Sequence, residues 1–123
     1  MARKKILLID HRPEHMRQPV LRLQLEGYVV DEASDGKAGL EKLEGGRYDL
    51  LLLDAELPGA DDGWETLRRI RSHDELKDLK VIVFMAAKGE TGKLALLPVD
   101  AELRRPFPIG ELLAKVRQVL GEK

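Results

Sequence analysis

Short apolar runs recur along the chain at Ile6 to Ile9, at Val29 and Val30 within "GYVVDEA", at Leu50 to Leu53 and at Val81 to Met85. A weaker fifth run is "DAEL" at 100–103. The first, third and fourth runs do not alternate between apolar and polar residues, and the fourth is rich in β-branched side chains. Short unalternated runs suit strands covered on both faces, as in a parallel sheet.

Helical patterns fill the intervals. "EHMRQPVLRLQLEG" stops at Gly27, a residue suited to the position just past a helix. Pro19 inside it removes one helical hydrogen bond, which predicts a late start or a kink. "GKAGLEKLEGG" is a short helix stopped by Gly45 and Gly46, and "GWETLRRIRSH" carries Trp64, Leu67 and Ile70 on one face. "IGELLAKVRQVLG" has the strongest helical stripe, with Ile109, Leu112, Leu113, Val116 and Leu120 on one side. "KGETGKLALLP", at 88–98, is a poor helix, weakened by Gly89 and Gly92 and closed by Pro98. The order β-α-β-α-β-α-β-(α)-β-α predicts a parallel sheet with helices on both faces. The 123 residues fit one domain, 1–123, with no linker or repeat.

Composition narrows the classes. The chain is 43% hydrophobic and 35% charged, which fits a soluble globular protein with a densely charged surface. A formal net charge of -1 argues against nucleic acid as a partner. The absence of cysteine excludes disulfides and thiolate metal sites. The apolar runs are too short to span a bilayer or to form a signal-peptide core, so no membrane partner and a cytoplasmic location are expected.

Ligands of open α/β sheets bind beyond the carboxyl ends of the strands. Asp10 and His11 follow the first run, Asp54 ends "YDLLLL", Met85, Ala86 and Ala87 end or follow the fourth, and Arg104, Arg105 and Pro106 follow the fifth. Two carboxylates and a guanidinium on one rim suit a divalent cation between the acids and an anion facing Arg105. A carboxylate can itself be the nucleophile of an aspartyl-phosphate. The plainer alternative is that each Asp only caps a helix or turns the chain. "KGETGK" is not a phosphate loop, because its glycines are too close together and Leu94 stands where a metal-binding hydroxyl is needed. "DHRPEH" lacks the Ser, Thr and Gly content of a flavin phosphate loop. His11 reads as a polar rim residue in preference to a ligand, and Trp64 as packing.

"KKILLIDHRP", "YDLLLLDAELPGADDGWE", "VIVFMAAKG" and "RRPFPIGELLAKVRQVL" resemble a bacterial response-regulator receiver domain over the whole length. The resemblance implies a flavodoxin-like (βα)5 three-layer sandwich with a parallel five-stranded sheet in the order 2-1-3-4-5. It implies Asp54 as phospho-acceptor, Mg2+ as cofactor, and Asp10, Asp54 and the backbone carbonyl of Glu56 as metal ligands. Several positions depart from the family pattern. His11 stands in place of the second acid of the pair. Met85 replaces the Thr or Ser that contacts the phosphoryl group, beside a retained small residue, Ala86. Arg105 replaces the lysine, with the following Pro106, typically cis, retained. Glu102 replaces the switch aromatic.

Imidazole suits zinc, copper, nickel or iron better than magnesium. Met85 cannot donate a hydrogen bond, Glu102 cannot copy a rotating ring, and Arg105 keeps the charge in a different shape. The expectation is a non-enzymatic two-component signalling domain with a degenerate site and weakened or absent Mg-dependent phosphorylation at Asp54. The alternative is a working receiver that takes phosphate from a histidine kinase. Its expected partner is a sensor histidine kinase or another signalling protein. The contact face would be the segment at 88–98 (the family's fourth helix), the fifth strand and the final helix (the family's fifth), and no small-molecule substrate is expected.

Overall fold

The computed structural model describes residues 3–59, 62–86 and 97–122. Its strands are β1 (Lys5–Ile9), β2 (Val29–Ala33), β3 (Leu50–Asp54), β4 (Lys80–Met85) and β5 (Ala101–Arg104). The helices are α1 (Arg17–Leu25), α2 (Gly36–Gly45), α3 (Gly63–Ser72) and α4 (Ile109–Val119), and a 3-10 turn at Pro13–Met16 precedes α1. All strand pairings are parallel, in the order β2-β1-β3-β4-β5. This is the strand order expected from the family resemblance. The weak helix read at 88–98 lies, up to residue 96, outside the described residues.

The unalternated runs have a direct physical consequence. Ile6, Leu8, Leu50, Leu52, Ile82 and Phe84 point to one side of the sheet and meet Leu23 of α1 and Leu112 and Val116 of α4. Leu7, Ile9, Leu51, Leu53, Val81 and Val83 point to the other side and meet Leu43 of α2 and Leu67 and Ile70 of α3. A strand with a core on each face has no solvent side, so no polar alternation is needed. The edge strands β2 and β5 are less covered, which explains their weaker apolar signal.

Local chemistry sets the helix starts. The Asp35 side chain accepts a hydrogen bond from the Ala38 N–H at 2.7 Å, and Asp62 accepts one from the Glu65 N–H at 2.8 Å. Both cap otherwise unpaired donors. Helix α1 does start late, at Arg17, so Pro19 falls in its first turn, where a missing N–H costs little. Gly27, with φ 102°, turns the chain into β2 in a conformation that other residues adopt at a cost.

Register determines where the chemistry sits. Ile9 is level with Leu53, and Asp54 is level with Phe84. The residue after β1 and the last residue of β3 therefore emerge side by side. The chain after β3 is held against the start of α3. A Cβ at Gly63 would lie 2.7 Å from the Ala55 carbonyl oxygen and 2.8 Å from the Ala55 Cα. Those are backbone atoms one residue from Asp54, so they cannot move aside as a side chain would.

Gly63→Ala is accordingly expected to destabilise the fold by about 1–3 kcal/mol in urea unfolding. Gly110→Ala, in open space within the first turn of α4, is expected to be neutral or stabilising by up to about 1 kcal/mol.

Candidate functional site at the carboxyl end of the sheet

Asp10 and Asp54 are 1% and 0% exposed. Two carboxylates this buried need compensation, because isolated ionised groups are costly away from water. The backbone supplies part of it. The Arg12 N–H donates to Asp10 Oδ1 at 2.8 Å, and the Glu56 N–H donates to Asp54 Oδ1 at 2.8 Å.

Arg105 supplies a cation. Its Nη2 donates to Asp10 Oδ2 at 2.8 Å, and its Nη1 stands 3.7 Å from Asp54 Oδ1. The pairing of β4 with β5 positions it, since the Arg105 N–H donates to the Met85 carbonyl at 2.8 Å. The guanidinium lies 5.6 Å from the centre of the Phe84 ring, and Phe84 stacks on Phe107 at 5.3 Å. The Arg105–Pro106 peptide is cis.

His11 turns inward. Its Nδ1 is 2.6 Å from Asp54 Oδ2 and 3.8 Å from Asp10 Oδ1. A carboxylate only accepts, so Nδ1 carries the proton of that short bond. The remaining predicted positions divide. Met85 is buried in the core on the α2 and α3 side. Glu102 is exposed on β5, level with Val83. The Ala86 N–H donates to the Glu56 carboxylate at 3.0 Å, and the Ala86 carbonyl accepts from Arg104 at 3.1 Å. Three features had no signal in the one-dimensional pattern: the Glu56–Ala86 bond, the Arg12 backbone bond and the aromatic platform under Arg105. Each depends on a loop conformation or a cross-strand neighbour.

A cleft of about 390 Å³ opens beside the acids, with His11, His15, Met16, Arg105 and Phe107 among its walls. Asp10, His11 and Asp54 each offer one ligand atom, all within 4.8 Å of one another. Magnesium takes oxygen ligands in near-octahedral geometry, so the donor set departs from a magnesium set at the His11 nitrogen. Among the described residues, no helix is long and apolar enough to cross a membrane.

Burial holds the Asp10 carboxyl above its usual range. The Arg12 backbone bond opposes this, the charge of Asp54 adds to it, and Arg105 and His11 pull it back down. The folded state therefore keeps its proton at a pH where the unfolded chain has lost it. This contribution to stability is complete below the ordinary aspartate value of 3.8 and is lost as pH rises through the raised folded value. In urea unfolding at pH 4 and pH 7, Asp10→Asn is expected to gain stability relative to the unsubstituted protein as pH rises. An identical pH dependence in both proteins would contradict the buried-acid account.

Known proteins share this sequence pattern and fold. The family model described as "Response regulator receiver domain" matches residues 6–117. "Response regulator ArlR" of Staphylococcus epidermidis is 41% identical over 118 residues, covering 94% of this chain and 52% of that protein. The chain thus spans about half the length of the curated relatives it matches. A putative response regulator from Chloroflexus aurantiacus superposes with a TM-score of 0.89 at 27% identity, covering 98% of this chain and 100% of that one. The receiver domain of a sensor histidine kinase from Pseudomonas aeruginosa, with a magnesium ion coordinated in its active-site cleft, superposes at 0.86 and 27% identity, with the same coverage of each chain. With the family model matched over most of the chain and the flavodoxin-like sheet in place, this protein belongs to the response regulator receiver domain family, the signalling modules of two-component systems.

Proposed function

We propose that this chain is a receiver-like signalling domain whose phosphoryl site is satisfied by its own side chains, so that Mg-dependent phosphorylation at Asp54 is weak or absent. The observation that carries this reading is the 2.6 Å bond between His11 Nδ1 and Asp54 Oδ2. A carboxylate nucleophile needs a free oxygen, and a short hydrogen bond withdraws electron density from the one it occupies. The other donors that a bound phosphoryl group would use are also engaged. Arg105 is on Asp10, and the Ala86 N–H is on Glu56. Met85 offers no hydroxyl and packs in the core. Glu102 provides no ring to couple the site to the surface.

The buried Asp10–Asp54 pair, with a cation opposite and an open cleft alongside, favours a second reading. In it, Asp54 accepts phosphate from a sensor kinase's phosphohistidine, with Asp10, Asp54 and the Glu56 carbonyl around the metal. Under either reading the partner is a histidine kinase or another signalling protein. It would dock on the face that includes β5, with exposed Glu102 and Arg104, and α4. Some relatives are named as transcriptional regulators, among them BasR of Escherichia coli.

Intact-mass measurement after incubation with a small phosphodonor and Mg2+ separates the two readings. The expected result is little or no labile adduct on the unsubstituted protein and a clear gain in His11→Asp, which restores the acid. A strong adduct on the unsubstituted protein that vanishes in Asp54→Ala would establish the second reading instead.

A further inference from the structure

The two carboxylates are divided between two partners. Asp10 Oδ2 and Asp54 Oδ1 face Arg105, at 2.8 Å and 3.7 Å. Asp10 Oδ1 and Asp54 Oδ2 face the His11 ring, at 3.8 Å and 2.6 Å from Nδ1. The guanidinium therefore neutralises one side of the pair and leaves a nitrogen and two carboxylate oxygens converging on the other. The cleft lined by Asp10, His11, His15, Glu56 and Arg105 runs alongside, so the ring and the guanidinium both border an opening to solvent.

We infer that this side is a site for a borderline transition-metal dication, of the zinc or nickel type, and that it discriminates against magnesium. The inference deepens the reading above, since it concerns the same rim. Around a tetrahedral ion with bonds near 2.1 Å, ligand atoms stand about 3.4 Å apart. The observed 2.6 Å and 3.8 Å separations straddle that distance and the three ligand atoms lie within 4.8 Å of one another, so the side chains would have to adjust by about an ångström to close around an ion. The ion replaces the Nδ1 proton, which leaves to solvent, and turns the His11–Asp54 hydrogen bond into two metal bonds. One nitrogen and two oxygens with remaining positions open to water suit zinc or nickel. Magnesium loses an anionic oxygen here and gains a ligand it binds poorly.

Backbone geometry keeps the two acids in place. The Arg12 and Glu56 N–H groups hold the carboxylates by bonds of 2.8 Å each, and both acids are almost fully buried. His11 is the residue that sets the selectivity, because it alone changes the donor set from all-oxygen to mixed.

Isothermal titration of the full chain with ZnCl2, NiCl2 and MgCl2, without any phosphodonor, tests the inference. One zinc or nickel ion per chain is expected, bound at least about tenfold more tightly than magnesium. His11→Ala should weaken zinc binding by on the order of tenfold or more, and His11→Asp should shift the preference toward magnesium. Circular dichroism checks that each variant is folded, and Asp54→Asn provides an independent loss of a ligand. Nitrogen-15 imidazole spectra should show zinc perturbing His11 Nδ1, while His15→Ala and His73→Ala retain binding. Zinc binding unchanged in His11→Ala, or magnesium bound as tightly as zinc, would overturn the inference. The phosphorylation reading stands or falls separately, on the mass adduct formed with magnesium.

Discussion

Two carboxylates buried side by side are the constraint around which the upper end of the sheet is organised. Strands β1 and β3 are neighbours in register and both are covered on each face. Any polar side chain at their shared end enters a poorly solvated space. Asp10 and Asp54 repel each other there, and burial alone disfavours their charge. Everything placed around them answers this cost: the Arg12 and Glu56 N–H groups, the Arg105 guanidinium and the inward His11 ring. Removing one partner would leave the others to hold more uncompensated charge.

The compensation is built from distant parts of the chain. Arg105 comes from the far edge of the sheet, delivered by the β4–β5 pairing and steadied above Phe84. His11 comes from the residue next to Asp10, and Glu56 from the loop that Gly63 holds close to α3. Internal bonds span this rim, two of them made by His11 and Arg105. His11 sets a ring nitrogen and Arg105 a guanidinium against the two acids, while the Met85 thioether is turned into the core.

Strand β5 links the surface to the rim. Glu102 lies exposed on this edge strand. Beside it, Arg104 reaches the Ala86 carbonyl and Arg105 reaches Asp10, so adjacent residues tie one strand to both the loop and the acids.

The fold was legible in one dimension because it rests on local, periodic signals. Unalternated runs identify doubly covered strands, and the stripe from Ile109 to Leu120 identifies a one-sided helix. Gly27 and Pro19 mark where α1 can stop and start. The same pattern placed Asp10, Asp54 and Arg105 at strand ends, which is enough to bring them to one rim. It did not show what each side chain touches there. The inward turn of His11, the engagement of the Ala86 N–H by Glu56 and the split of four carboxylate oxygens between guanidinium and imidazole are decided by distances of an ångström or so. Residue order along the chain determines which groups can meet. The packing of separate strands and loops around two buried charges decides which of them do.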